Sequence, residues 1–138
     1  MGSVLEKSKV LFALLGCVLG WLMGEPDSLI YSLIALVVLD YVTGVLLAVR
    51  NKKVSSEIGF RGICKKITIF ILVAVGNVID KYLIGTGHSL RTMIIAFYLS
   101  NEGISIMENA GRMGLPIPKI LKESLLKLHN NPSDNPKI

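Results

Sequence analysis

Three carboxylates lie where an apolar sequence has least use for them. Asp40 sits near the midpoint of Leu29–Val49, whose other clearly polar residues are Ser32 and Thr43. Asp80 comes near the end of the run 67–84, and Glu102 falls inside the run 92–107. Carboxylates so placed can relay protons, hold ions or line water. A charge at mid-bilayer costs about 2.5–3.5 kcal/mol even on insertion scales, so it demands a partner or water. Hydrolysis or group transfer needs more: a nucleophile beside a base, metal-ligand spacing or a phosphate-cradling loop. The sequence offers none of these, which argues against an enzyme, a metal and any other cofactor.

On a helix, Asp40 shares its face with Ser32, Leu36, Thr43, Gly44 and Ala48, a narrow stripe of small or polar residues where another helix can come close. Two readings stand: Asp40 is a protonated or hydrogen-bonded packing group, or it lines a water-filled, proton-sensitive surface. Gly76, Asn77 and Asp80 share a second face, with Asp80 near the headgroups. In YLSNEGISIMENAGR (98–112), Glu102, Ser105 and Asn109 form one row, and Asn101, Ser105, Glu108 and Arg112 another. Arg112 is the natural partner of Glu108, whereas Glu102 has none nearby. The polar-face candidates are therefore Asp40, Thr43, Asn77, Asp80, Asn101, Glu102, Ser105 and Glu108. Gly16, Gly20 and Gly24 repeat every four residues and, with Gly44 and Ala48, form the candidate helix-packing surfaces.

The elements that must carry these groups follow from composition. Of 138 residues, 51% are hydrophobic and 18% charged, and the charges are segregated into short stretches between long uncharged ones. The pattern is that of an all-α, polytopic membrane protein, because the bilayer excludes charge from spans and leaves it to loops. Four spans are expected, at about 10–24, 29–49, 67–84 and 92–107, or three if the short first segment does not cross. A short amphipathic helix at about 118–129 completes a single domain over 1–129, and 130–138, rich in Pro and Asn, reads as a disordered tail. Cys17 and Cys64 lie in or beside apolar runs and read as small packing residues without disulfide or metal partners.

With four spans, thirteen of the fifteen basic residues fall on the side shared by the N-terminus, the 50–66 loop and the tail, against Lys81 and Arg91 opposite. Both termini are then cytoplasmic. Arg50, Lys52, Lys53, Lys65, Lys66, Lys119, Lys122 and Lys127 become the residues that face anionic lipid on that side. The net charge of +5 is explained by these loops, and nucleic acid is not expected as a partner.

The stretch LDYVTGVLLAVRNKKVSSEIGFRGICKKI, the run E-x-x-S-I-x-E-N at Glu102–Asn109 and the tail GLPIPKILKE resemble the toxin-secretion/phage-lysis holin family over roughly residues 36–126. The resemblance implies a small protein of the bacterial cytoplasmic membrane that accumulates, associates with itself and opens large non-specific holes. A wall-degrading endolysin, or a toxin, leaves through them, and an antiholin restrains the opening in some systems. The alternative reading is a small proton-coupled transporter of the multidrug type, in which Asp40 or Glu102 exchanges a proton against a substrate. A third is an accessory membrane subunit without a pore.

Overall fold

The structure, a computed structural model, describes residues 2–85 and 87–129. The described residues form helices and turns without a strand: α1 (Gly2–Met23), α2 (Ser28–Arg50), α3 (Ser56–Ile79) running on into a π-helical turn (Asp80–Ile84), α4 (Ser89–Arg112) and α5 (Lys119–His129). The expected disordered tail, 130–138, lies outside the described residues.

Each helix boundary has a local cause. Asp27, in extended backbone, caps α2 by accepting from the Ile30 amide at 2.9 Å. At the other end the chain leaves α2 through a Schellman turn: Lys52 N–H donates to the Val49 carbonyl (3.1 Å) and Lys53 N–H to that of Ala48 (2.9 Å). That turn forces Lys52 to φ 53°, an unusual position for a side-chain-bearing residue. Helix α4 ends the same way, with Gly114 at φ 88° and the Leu115 amide on the Ala110 carbonyl at 3.1 Å. Ser55 caps α3 through the Ile58 amide (3.2 Å), and Glu57 favours its first turn.

This last cap corrects the expected basic loop at 50–66. Only 51–55 are non-helical, and α3 begins eleven positions before the apolar run at 67. Its inward face is continuous, Gly59, Gly62, Lys66, Ile69, Val73, Gly76 and Asp80, at helical spacing throughout. The other segments shift too. The first reaches back to Gly2 and stops before Gly24, the fourth spreads to Ser89–Arg112, and the terminal helix starts at Lys119 with Pro118 just before it.

Helices α2, α3 and α4 pack together, α1 lies against α3, and α5 lies against α4. The apolar core is small: Ile30, Leu33 and Val37 of α2, Ile69 and Val73 of α3, and Ile95 of α4. Leu39, Leu46, Ile67, Ile71 and many other large apolar residues point outward, while Asp40, Asn77, Asp80, Arg91, Ser100 and Glu102 are buried. Such an inverted distribution suits lipid rather than water.

The expected span count is matched in part. Two helices, Ser28–Arg50 and Ser56–Ile84, are long and apolar enough to cross a membrane, rather than the four expected. Most of each faces outward, unlike the core helix of a water-soluble domain. Helix α1 carries Glu6, Lys7 and Lys9, and α4 carries Arg91, Glu102, Glu108 and Arg112.

Candidate functional site

The three inner helices each contribute charge to one point. The Lys66 ammonium of α3 donates to Asp40 Oδ2 of α2 and to Glu102 Oε2 of α4. The Lys66, Asp40 and Glu102 side chains are 18%, 10% and 7% exposed. Asn109 of α4 extends the cluster, its Nδ2 donating to Asp40 Oδ1 at 3.3 Å and to Thr43 Oγ1 at 3.1 Å. Thr43 in turn donates to the Asp40 carbonyl at 3.0 Å. Close approach of α2 and α3 here depends on small residues: Tyr41 lies over Gly59 and Gly62, where an added Cβ would meet its side chain at 3.5 Å. Gly44 stands opposite the Asn109 amide, 3.8 Å from a would-be Cβ.

One ammonium between two carboxylates leaves one negative charge unbalanced if both acids are ionised. Such a cluster is cohesive while complete, and costly once a partner is removed, because the remainder stays desolvated. Along α2, Asp40 lies roughly 15 Å from Arg50 at 1.5 Å per residue, deep within an apolar helix. Beside the triad, α3 and α4 leave an open recess of about 480 Å³ whose lining includes Lys66, Asn101 and Glu102.

A second polar cluster closes the opposite end of the bundle. Asp80 accepts from the Leu90 and Arg91 amides at 3.0 and 2.8 Å, satisfying two free N–H groups at the start of α4. The Arg91 side chain, almost wholly buried, donates to Asp27 at 2.6 Å and to the Met23 and Glu25 carbonyls at 2.7 and 3.2 Å. Asn77 Nδ2 donates to the Leu22 carbonyl at 2.9 Å. Together these tie the end of α1 to α3 and α4. The bond from Arg91 holds the Asp27 carboxyl below its ordinary range.

The polar-face candidates therefore divide. Asp40, Thr43 and Glu102 meet at the triad, and Asn77 and Asp80 belong to the end cluster, where Asp80 is buried rather than at an exposed rim. Asn101 lines the recess, Ser105 is half-buried, and Glu108 is exposed and forms no ion pair with Arg112. Among the helix-packing candidates, Gly16 and Gly20 have open space where a Cβ would be. Gly24 is not part of that ridge: at φ 82° it ends α1, and a Cβ there would lie 2.6 Å from Asn77 Oδ1. Ala48 is half-buried.

Of the basic residues expected at the lipid surface, Lys66 turns inward because α3 extends through it. Lys52, Lys53, Lys65, Lys119, Lys122 and Lys127 are exposed. Arg50, also exposed, donates to the Met113 carbonyl and so joins α2 to the end of α4. The sequence reading missed Lys66 and Arg91 as interior partners. The signal for Lys66 was the Ser55–Glu57 helix start; none marked Arg91. Cys17 and Cys64 are exposed on helix surfaces rather than packed.

The sequence profile of the bacteriophage holin family matches residues 17–130. A Listeria innocua protein, Lin0175, is 47% identical over 111 residues, 80% of this chain and 79% of its own. The Clostridium perfringens protein CPE0383 is 40% identical over 116 residues, 84% of this chain and 86% of its own. A probable holin of Bacillus phage phi105 is 35% identical over 115 residues, 83% and 82% of the two chains. No solved structure matches. Two outward-facing helices are long and apolar enough to cross a membrane, the family profile spans most of the chain, and the chain belongs to the bacteriophage holin family.

Proposed function

We propose that this protein accumulates in the bacterial cytoplasmic membrane, associates with copies of itself and opens large, non-specific holes through which an endolysin, or a toxin, leaves the cell. The observation that carries this reading is the Asp40–Lys66–Glu102 triad, a charged interior inside an apolar exterior, in a chain of this family. In the closed form Lys66 holds the two carboxylates together between α2, α3 and α4. In the open form helices of many copies exchange partners and turn the same charges to water.

The topology that goes with this reading puts both termini in the cytoplasm, with α1 and α4 crossing beside α2 and α3 in company rather than alone. Lys119, Lys122 and Lys127 on α5 then lie against anionic lipid, as a basic amphipathic helix does. An antiholin is the further protein partner this role allows.

The test is induction in bacteria beside a cytoplasmic muralytic enzyme lacking an export signal, with culture turbidity followed. Abrupt clearing after a fixed delay is the expected result. Steady growth would overturn the hole-forming reading. If accompanied by energy-dependent export of one compound class, it would favour proton-coupled transport at the same triad.

A further inference from the structure

The charges of the triad do not balance. Lys66 supplies one positive charge, whereas Asp40 and Glu102 supply two negative ones when both are ionised. Asp40 Oδ2 and Glu102 Oε2 accept from the same ammonium, so they lie no more than about 6 Å apart, twice a normal N–H···O length. Among the described residues no second cation pairs with either acid. Lys65 of α3 and Glu108 and Arg112 of α4 are exposed. So are Glu6, Lys7 and Lys9 of α1 and the lysines and Glu123 of α5. Arg50 of α2 is exposed and donates to the Met113 carbonyl. The other ion pairs, Arg61–Glu57 and Arg91–Asp27, lie on the α3 surface and at the opposite end of the bundle. The titratable neighbours, Tyr41 over Gly59 and Gly62, and Cys64 and Tyr98 beside Glu102 in the recess, bring no positive charge.

The two acids also differ in how they are held. Both oxygens of Asp40 have donors, Lys66 at Oδ2 and Asn109 at Oδ1, the latter 3.3 Å away. Glu102, with a side chain 7% exposed, accepts from Lys66 through Oε2, and its Oε1 has no donor among the described residues. A buried ion with an unsatisfied oxygen is costly, and two carboxylates crowded at one site relieve that cost by sharing a proton.

We propose that the Asp40–Glu102 pair is a proton-binding site: with Lys66 charged, the closed cluster holds one proton between its two carboxyls and is electrically neutral. Glu102 Oε1 is the oxygen free to take it. When the helices part and both acids meet water, that O–H ionises and the proton passes to water, one per chain. The closed form thus binds one proton more than the open form, so rising pH favours opening, by up to tenfold per pH unit for each copy. The release step rests on the hole-forming reading, whereas the bound proton is a property of the closed protein.

The test uses the full chain in sealed lipid vesicles that retain a trapped dye, with equal pH on both sides. Infrared difference spectra at neutral pH compare the parent with two isosteric variants, Asp40→Asn and Glu102→Gln. The parent should show the carbonyl stretch of one protonated carboxyl per chain, shifted in heavy water. Each variant should lose that band, because Lys66 then faces a single acid. A parent without the band, or a band that persists in either variant and so belongs to another acid such as Asp80, would overturn the proton site. Dye release should quicken with rising pH in the parent and lose that dependence in both variants. Release that is unaffected or slowed by rising pH would overturn proton loss on opening. The expected band without release at any pH would leave the proton site standing and count against the hole-forming reading alone.

Discussion

Replacing Lys66 by methionine keeps a long apolar stem and removes the one positive charge between Asp40 and Glu102. Both carboxylates then remain nine-tenths covered, with the Asn109 amide as the only side-chain donor left to Asp40. Removing one partner from a buried ion pair costs about 3–5 kcal/mol. That corresponds to roughly a hundred- to a few-thousand-fold change in the folding equilibrium, at about 1.4 kcal/mol per factor of ten. Removing all the charges at once acts in the opposite direction. A triple variant, Asp40→Leu, Lys66→Met and Glu102→Leu, is expected to range from neutral to about 4 kcal/mol more stable than the parent, as apolar replacements of buried ionic clusters often are. The assay is reversible unfolding in mixed micelles followed by helical circular dichroism, alongside lysis onset at matched expression. Lys66→Met should unfold first and lyse early or fail to accumulate; the triple variant should unfold last and lyse late. Equal stability of Lys66→Met and the parent, or a triple variant weaker than the single one, would refute the claim that the triad is costly only when left incomplete.

Asp40→Leu leaves Lys66 and Glu102 matched one to one, so it should be milder than Lys66→Met and delay lysis; unchanged timing would remove Asp40 from gating. A Cβ added at Gly20 would meet nothing within 4 Å in the monomer, which leaves room for Gly20→Leu. It should therefore leave unfolding unchanged and alter only the oligomer distribution seen by crosslinking. Lys52→Gly relieves a left-handed backbone position and should stabilise the fold by about 1 kcal/mol. The Arg91–Asp27 bond lowers the folded-state pKa of Asp27 from its reference value of 3.8. Its stabilisation is therefore complete above that value and is lost as pH falls through the lower folded-state value. Arg91→Met should remove this acid limb from a stability–pH profile, and an unaltered profile would count against the bond.

Sequence made α2 almost fully legible, since Leu29–Val49 is continuously apolar and is bracketed by a capping aspartate and a terminal arginine. The interior role of Asp40 was legible as a question, because a lone acid there must find something. Its answer was hidden by polarity: Ser55–Lys66 looked like a loop, although Gly59, Gly62, Lys66, Ile69 and Val73 continue one helical face without a break. Once α3 is extended, the lysine nearest Asp40 is no longer a surface charge. Arg91 was harder, because nothing local ties it to Asp27, 64 positions away, or to the backbone at Met23. Long-range partners depend on how helices dock, which the period of a single segment does not encode. The glycine repeat shows the reverse limit: equal spacing joined Gly24 to Gly16 and Gly20, but backbone geometry makes Gly24 a terminator.

The order in which the triad is synthesised has its own consequence. The ribosome delivers Asp40 26 residues before Lys66, and Lys66 36 residues before Glu102. At about 5–20 residues per second, the acid waits roughly 1–5 s for its first counter-ion and several seconds more for the complete cluster. A solitary carboxylate resists the middle of the bilayer during that interval. On the membrane-spanning reading, emergence of α3 behind α2 removes that penalty, which favours entry of the two helices together as a hairpin.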